Sequence, residues 1–402
     1  MYKIMAVNAG SSSLKFKLYN MPEEETLCSG IFERIGHEDG IFTIKYNGTK
    51  DSKILPLLDH AICVELLIKA LLEKKIISSL DEIKATGHRI VQGGKYFDKS
   101  AKFDEYSENL IEGLIPLAPL HNSAHLVGLR AFRAKMPATL ETVTFDTAFH
   151  QTMAAQDYTF AIPYKLAEKY DIRRYGAHGT SHRYVSEVVI KEYLNNKKDS
   201  KIISCHLGSG SSITAIKNGK CIATSMGLTP LGGVVMGTRC GDIDPSVFNF
   251  LVAKTGKSAE EIYQILNKES GLLGVSGLSN DARDIEDAVE KGEPRAILAQ
   301  QLFVRRVSDY IGQYFVRLGG CDAIIFTAGI GENSSILRKE ILDDVSSSLK
   351  IKYNVELNAK TRGSKTLLSL DDSPIKVVVI PTDEEVIIAR DAYTILMNEK
   401  LD

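Results

Sequence analysis

No apolar run in this 402-residue chain approaches the roughly 20 residues that cross a bilayer as a helix, so a membrane-spanning protein is not expected. Only about five apolar residues precede Asn8, short of the roughly 7 to 15 of a secretory signal core, and a cytosolic location is expected. An excess of one charge is missing too. Lys and Arg total 49 against 51 Asp and Glu, and the net charge of −2 gives no global attraction for nucleic acid or an anionic membrane. Partners are therefore expected to be small molecules or other proteins. Six cysteines are scattered without Cys-x-x-Cys spacing, which points to buried reduced thiols rather than a disulfide framework.

What is present is enough for two domains. The length exceeds one ordinary core, and 44% hydrophobic with 25% charged residues is the composition of a soluble globular protein. The chain is organised around IMAVNAGSSSLKF, residues 4–16, which reads as strand, tight turn and returning strand. Gly10 lets the backbone approach a ligand in the turn, the three serines offer donors to an anion, and Lys15 adds a positive charge. The pattern recurs from Ile202 as IISCHLGSGSSITAIKNG, with Asn8 against His206, Gly10 against Gly208 and Ser13 against Ser211. A third variant, AIIFTAGIGENSS from Ala323, opens a helix at Ser334. Such recurrence suggests a duplicated domain with a ligand between the copies.

In chain order, further strands (CSGIFERI, GIFTIKYNG) are followed by an amphipathic helix from His60, then a strand ending IKATGHRIVQGG with His88 and Arg89 near its end. TLETVTFDTAFH is a strand whose apolar part stops at Asp146, and ligands of open α/β sheets gather at such ends. The signal blurs over residues 149–175, the expected domain crossing. GTSHRYVSEVVIKEYLNN is a helix capped by Thr180 or Ser181. Helices dominate residues 245–319, KVVVIP is a short buried strand, and the last helix, from DEEVIIARD, is long enough to pack back on the first domain.

Two familiar motifs are each short of a member. GGVVMGTR mimics a phosphate loop but lacks its Lys followed by Ser or Thr. Four glycines around Arg239 instead suggest a mobile loop presenting that arginine to an anion, against the alternative of a structural Ω-loop. The pairs His121/His125 and His178/His182 have the spacing of a zinc motif, yet HNSAH and HGTSH lack its Glu, and Gly179 weakens the second helix. A histidine opening a helix also suits donation to a phosphoryl group, whereas a buried hydrogen-bonded role fits His182 better than His178. Asp146, Glu384 and Glu385 are candidate Mg²⁺ acids, although acids at a helix start also serve its dipole.

VNAGSSSLKF, GHRIVQGG, FDTAFH, YGAHGTSH, CHLGSGSS, TPLGGVVMGTRCGDIDP, TAGIGENS and PTDEEVIIAR stand in one order from end to end, and together they closely resemble the acetate kinase family of the acetate and sugar kinase, heat-shock and actin superfamily. The resemblance implies an α/β fold of two duplicated ribonuclease-H-like (actin-like ATPase) domains, each a mixed sheet flanked by helices, with the cleft between them. Residues 1–150 plus 385–402 would form one domain and 151–384 the nucleotide-binding and dimerisation domain. It further implies a homodimer, and reversible Mg²⁺-dependent transfer (Mn²⁺ substituting) from ATP to acetate, giving acetyl phosphate and ADP.

Carried over by resemblance, Asn8 and Glu384 hold the metal with Asp146 close by. Arg89 and Arg239 hold the carboxylate and the phosphoryl group, and His178 and Arg239 stabilise the transition state. Lys15, His206, Leu207, Gly208, Ser209 and Gly210 bind nucleotide phosphates, while Asp281, Ala282, Arg283, Gly329, Ile330, Gly331, Glu332 and Asn333 line the adenosine pocket. Val91, Leu120 and Pro230 receive the methyl group. Ser209 and Asp383 each stand where the family usually has Asn, and Ala177 where some members have Phe, which leaves propionate as the alternative substrate. A carboxylate-indifferent ATPase of the actin or heat-shock type is a remoter alternative.

Overall fold

The computed structural model describes residues 1–119 and 121–399; Leu120 lies outside them. The chain divides into two compact units, one of Met1–Phe149 with the segment from Asp383, the other of His150–Thr382. Glu384, placed by the expected boundary in the second domain, therefore belongs to the first unit.

The first unit is built on an eight-stranded sheet ordered β5-β4-β3-β2-β1-β6-β8-β7. Its strands are β1 Tyr2–Ala9, β2 Ser13–Met21, β3 Glu25–Glu33, β4 His37–Tyr46, β5 Thr49–Leu57, β6 Ile83–Ile90, β7 Ala101–Lys102 and β8 Leu140–Phe145. The two-residue period of β1 sorts its side chains onto two faces. Met5, Val7 and Ala9 enter a core with Cys63, Val64, Leu67 and Phe132, contributed by the helices His60–Glu73 and Asn122–Lys135. The final helix, Glu384–Glu399, covers β1, β6 and β8. Gly87 on β6 permits that approach: a Cβ there would lie 2.6 Å from Ile388 Cγ2 and 3.0 Å from the Ile388 carbonyl oxygen.

The second unit holds a six-stranded sheet ordered β11-β10-β9-β12-β14-β13. These are β9 Lys201–Leu207, β10 Ser211–Lys217, β11 Lys220–Thr224, β12 Ala323–Thr327, β13 Thr366–Leu367 and β14 Lys376–Val379. Strand pairing repeats that of the first unit. Along β11-β10-β9-β12-β14-β13 the pairs run antiparallel, antiparallel, parallel, parallel, antiparallel, and β3-β2-β1-β6-β8-β7 gives the same series. The recurring Gly-Ser hairpin is thus the visible part of two mixed sheets of one plan, β1–β2 in one and β9–β10 in the other. The helix Pro294–Leu318 buries Ala296, Ala299, Phe303, Val307, Ile311, Tyr314 and Leu318, a stripe of helical period, in the core of this unit.

The helix expected to open at Ser334 runs over Ser335–Leu349 with Ser334 as its N-cap, and the glycine-rich stretch before it is itself a short helix, Ala328–Asn333. One local expectation is corrected. The helix Gly179–Glu192 takes His178, not Thr180 or Ser181, as its N-cap, with a left-handed φ of 60°. The Ser181 hydroxyl is occupied by His206 Nδ1 and Thr382 Oγ1, each at 2.8 Å.

Candidate active site

In the first unit, β1, β6 and β8 run parallel side by side, so the residues at their carboxyl ends converge. Asn8 and Arg89 lie one residue before the ends of β1 and β6, and Asp146 follows β8. Arg89 donates to both Asp146 oxygens, from Nε at 2.9 Å and from Nη2 at 2.5 Å, and from Nη1 to Asn8 Oδ1 at 3.3 Å. Glu384 Oε2, from the start of the final helix, lies 3.8 Å from Arg89 Nε. Burial works against the Arg89 charge, but Asp146, Glu384 and Glu385 outweigh it and hold its pKa above the usual value. The geometry makes Asp146 the clamp of Arg89. A bidentate pair fixes the plane of a guanidinium as well as its position.

Beyond β6 the backbone is pinned from the helix Asn122–Lys135. Val91 N–H donates to His125 Nδ1 at 3.3 Å, and Gln92 exchanges hydrogen bonds with the Asn122 side chain at 3.0 and 2.9 Å. Burial keeps His125 neutral, well below its ordinary pKa, as an acceptor requires. Lys15 is exposed on β2, opposite Asn8 in the strand register. Asp383 turns toward Lys17, whose Nζ donates to its Oδ1 at 2.8 Å, and caps the final helix by accepting from Val386 N–H at 3.2 Å.

In the second unit the turn from β9 to β10 is Gly208-Ser209-Gly210. His206, at the end of β9, stacks on His178 with ring centroids 4.0 Å apart. Ser212 receives both His178 Nδ1, at 2.9 Å, and His182 Nε2, at 2.7 Å, while His182 Nδ1 meets Ser204 Oγ at 2.8 Å. Both nitrogens of the fully buried His182 are thus engaged by hydroxyls, and burial depresses its pKa well below the ordinary value. Gly210 faces this group: a Cβ on it would meet Arg239 Nη1 at 3.2 Å and His178 Nε2 at 3.5 Å.

The loop carrying Arg239 is tethered by backbone hydrogen bonds. Gly237 N–H donates to Ser209 O at 3.1 Å, Leu272 N–H to Met236 O at 2.9 Å, Ser270 N–H to Thr238 O at 2.9 Å, and Cys240 N–H to Leu266 O at 3.0 Å. Arg239 Nη1 donates to Pro230 O at 3.2 Å and lies 3.6 Å from Met236 Sδ. Among the described residues no carboxylate pairs with it, and burial lowers its pKa. Beside it Ala177, Met226 and Met236 form a small buried apolar cluster.

A cavity of about 520 Å³ opens beyond the glycine turn. Of the expected nucleotide residues Gly208, Ser209, Asp281, Ala282, Arg283, Gly329, Ile330 and Asn333 line it. Leu207, Gly331 and Glu332 do not. Leu207 points into the core, the Gly331 carbonyl accepts from Arg338 Nη1 at 3.0 Å, and Glu332 Oε1 ties down Ala328 N–H at 2.8 Å and Thr382 N–H at 3.0 Å. His206 and Gly210 stand instead with His178 and Arg239. Arg283 is clamped onto Asp281, whose carboxyl it holds down to about 2. Four lining residues escaped sequence reasoning: Asn280, Glu286, Ser334 and Arg362. Asn280 adjoins an expected residue and Ser334 lies in a quoted motif, but Glu286 and Arg362 carry no local signal.

Asn8 and Glu384 offer hard oxygen donors, and among the described residues no group of three or more His, Cys, Asp or Glu gathers to hold a metal. That sparse set fits Mg²⁺, which keeps several waters and takes one or two carboxylates beside substrate phosphates. It does not fit zinc, because His182 spends both nitrogens on hydroxyls and His125 spends Nδ1 on the Val91 N–H.

One unit thus presents oxygen donors around a clamped arginine at the ends of parallel strands, and the other a glycine turn, stacked imidazoles and an arginine that no carboxylate pairs among the described residues. Those are the parts of a phosphoryl-transferring enzyme of duplicated α/β fold. The chain belongs to the acetokinase family, whose model matches residues 3–390. It is 50% identical over 398 residues to acetate kinase 1 of Listeria innocua, covering 99% of this chain and 100% of the other. The crystal structure of Porphyromonas gingivalis acetate kinase matches with a TM-score of 0.92 at 41% identity, over 98% of this chain and 100% of that one. A propionate kinase from Francisella tularensis subsp. tularensis matches with a TM-score of 0.91 at 41% identity, over 98% and 100%.

Proposed function

We infer that this chain moves the γ-phosphoryl group of ATP directly and reversibly to acetate, giving acetyl phosphate and ADP, with Mg²⁺. The observation that carries this reading is Arg239, a half-buried guanidinium without a carboxylate partner among the described residues, set beside the glycine turn and His178. It is a cation awaiting an anion. A carboxylate acceptor, with a reference pKa near 4, is already ionised at neutral pH and needs no general base. Catalysis then reduces to positioning and charge neutralisation.

In this reading Arg89, oriented by Asp146, holds the acceptor carboxylate, and Arg239 and His178 stabilise charge on the phosphoryl group in flight. The Gly208–Gly210 turn holds nucleotide phosphates and the cavity with Asp281, Arg283 and Asn333 takes the adenosine. Asn8 and Glu384 would hold Mg²⁺, which neutralises phosphate oxygens when bound. Val91, Leu120 and Pro230 receive the methyl group. Propionate is the second reading, favoured by the small Ala177 beside Met226 and Met236; one methylene is worth only about 1 to 3 kcal/mol of discrimination.

ADP release from MgATP is expected to depend strongly on acetate, more weakly on propionate and little on butyrate. Release indifferent to any acid would overturn the acyl-kinase reading in favour of a hydrolytic ATPase. The enzyme works in the cytosol, where its six unpaired cysteines stay reduced, and as a homodimer. The helix Pro245–Thr255 supports the latter: it has no buried residue and exposes Val247 and Phe250. Sedimentation should give twice the 44.3 kDa chain mass, and a monomer at micromolar concentration would refute the dimer.

A further inference from the structure

Three consecutive acids, Asp383, Glu384 and Glu385, stand at the start of the final helix, and of these Glu384 is the one assigned to the metal. Three adjacent carboxylates suit a helix N-terminus but repel one another, and each is a potential ligand for the same hard cation. What separates them is on the neighbouring strand. The two-residue period places Lys15, Lys17 and Tyr19 on one face of β2, opposite Asn8, Ala6 and Ile4 of β1 in the register, and Asn8 belongs to the site. Lys17 Nζ lies 2.8 Å from Asp383 Oδ1 and 3.5 Å from Glu385 Oε2, while Glu384 Oε2 lies 3.8 Å from Arg89 Nε. Tyr19 O–H, at 3.3 Å, and Val386 N–H, at 3.2 Å, also donate to Asp383 Oδ1, so that one oxygen receives three donors. The Lys17, Asp383 and Glu385 side chains are each about a quarter exposed, at 27%, 30% and 20%, a setting in which such contacts hold geometry better than fully solvated ones do.

We propose that Lys17 is a positioning residue that sorts these acids, holding Asp383 and Glu385 so that Glu384 alone is offered to the divalent cation. The inference rests on the assignment of Glu384 to the metal. It also accounts for the aspartate at position 383, where resemblance to the family leads one to expect asparagine: the added negative charge has a cation of its own. Without Lys17 the site gains one unit of net negative charge and two released carboxylates. The cation is then bound more tightly but by the wrong oxygens.

The test is Mn²⁺ binding to the full-length protein, followed by the electron paramagnetic resonance signal of the free ion, alongside steady-state kinetics. Lys17→Met is expected to tighten Mn²⁺ binding about 15-fold, the effect of removing one unit charge roughly 5 Å from a divalent ion in a water-like dielectric. The same variant should lower kcat at least about tenfold with KM for acetate within about twofold, a split that general loosening of the fold would not produce. Lys17→Arg should restore both properties, and Lys17→Met with Asp383→Asn should return Mn²⁺ affinity to the parental value. Mn²⁺ affinity and kcat within twofold of parental in Lys17→Met would overturn the proposal. So would a loss of both that the double variant fails to repair. Glu384→Gln separates the two readings: if it leaves Mn²⁺ binding intact, the metal assignment itself falls, and if it weakens binding while Lys17→Met changes nothing, only the sorting role falls.

Discussion

Replacing Arg239 by Ala lowers kcat by about 10³- to 10⁵-fold, roughly 4 to 7 kcal/mol of transition-state stabilisation, and leaves the fold intact. Both halves follow from its surroundings. The guanidinium donates to the neutral carbonyl of Pro230 and has no carboxylate partner among the described residues, so in the resting protein it is a half-buried cation whose pKa partial burial lowers. Removing it relieves an uncompensated charge, and the thermal midpoint should stay level or rise slightly. In the proposed reaction the charge is met only when the phosphoryl oxygens arrive. Arg239→Lys should recover little, since an ammonium cannot reproduce planar two-point contact. Turnover of Arg239→Ala within tenfold of the parent, with a native melting profile, would remove Arg239 from the mechanism.

The second large effect comes from a residue outside the cavity lining. Gly271 has φ of +62°, and a Cβ on it would sit 2.1 Å from Met236 O, 2.8 Å from Arg239 O and 3.0 Å from Arg239 N. None of these backbone atoms can yield without moving the loop that its neighbours Ser270 and Leu272 hold by hydrogen bonds to Thr238 O and Met236 O. Gly271→Ala should therefore displace Arg239 by about an ångström and cost turnover about 100-fold, in addition to about 1 to 3 kcal/mol of stability. Gly256→Ala is the matched comparison. Its φ of +69° is similar and it ends the helix Pro245–Thr255, but nothing lies within 4 Å of its added Cβ. It should lose about 1 kcal/mol of stability and no turnover. Equal kinetic effects in the two variants would mean that the Arg239 loop is not fixed by its contact with Gly271.

The cavity shows how far the chain could be read without coordinates. Gly208, Ser209, Asp281, Arg283 and Gly329 belong to local patterns, a glycine turn or a capped helix start, and they do line it. Glu332 belongs to the same pattern as Gly329 and yet serves the backbone, because the short helix Ala328–Asn333 directs its carboxylate to Ala328 N–H and Thr382 N–H. Arg362 and Glu286 reach the cavity from a loop and a helix more than seventy residues apart in sequence. Residue order carries no term for such a meeting. The Arg239 loop makes a related point: glycine density reports where a backbone can bend, whereas the hydrogen bonds that hold it come from Ser209 and residues 266–273.

The sequence by itself determined the strands and their turns, the duplication, and the residue types at the strand ends, because two-residue alternation, glycine turns and recurring motifs are local and survive in linear order. It also carried the family. Only the tertiary structure decided which of those residues meet. Asp146 becomes the clamp of Arg89, Lys17 reaches two of three acids from a strand more than 360 residues away, and His182 spends both nitrogens on hydroxyls while His178 stacks on His206 beside the turn. Partner choice depends on through-space distance and burial, which set the strength of every charge and hydrogen bond in the site, and neither quantity is written in the order of residues.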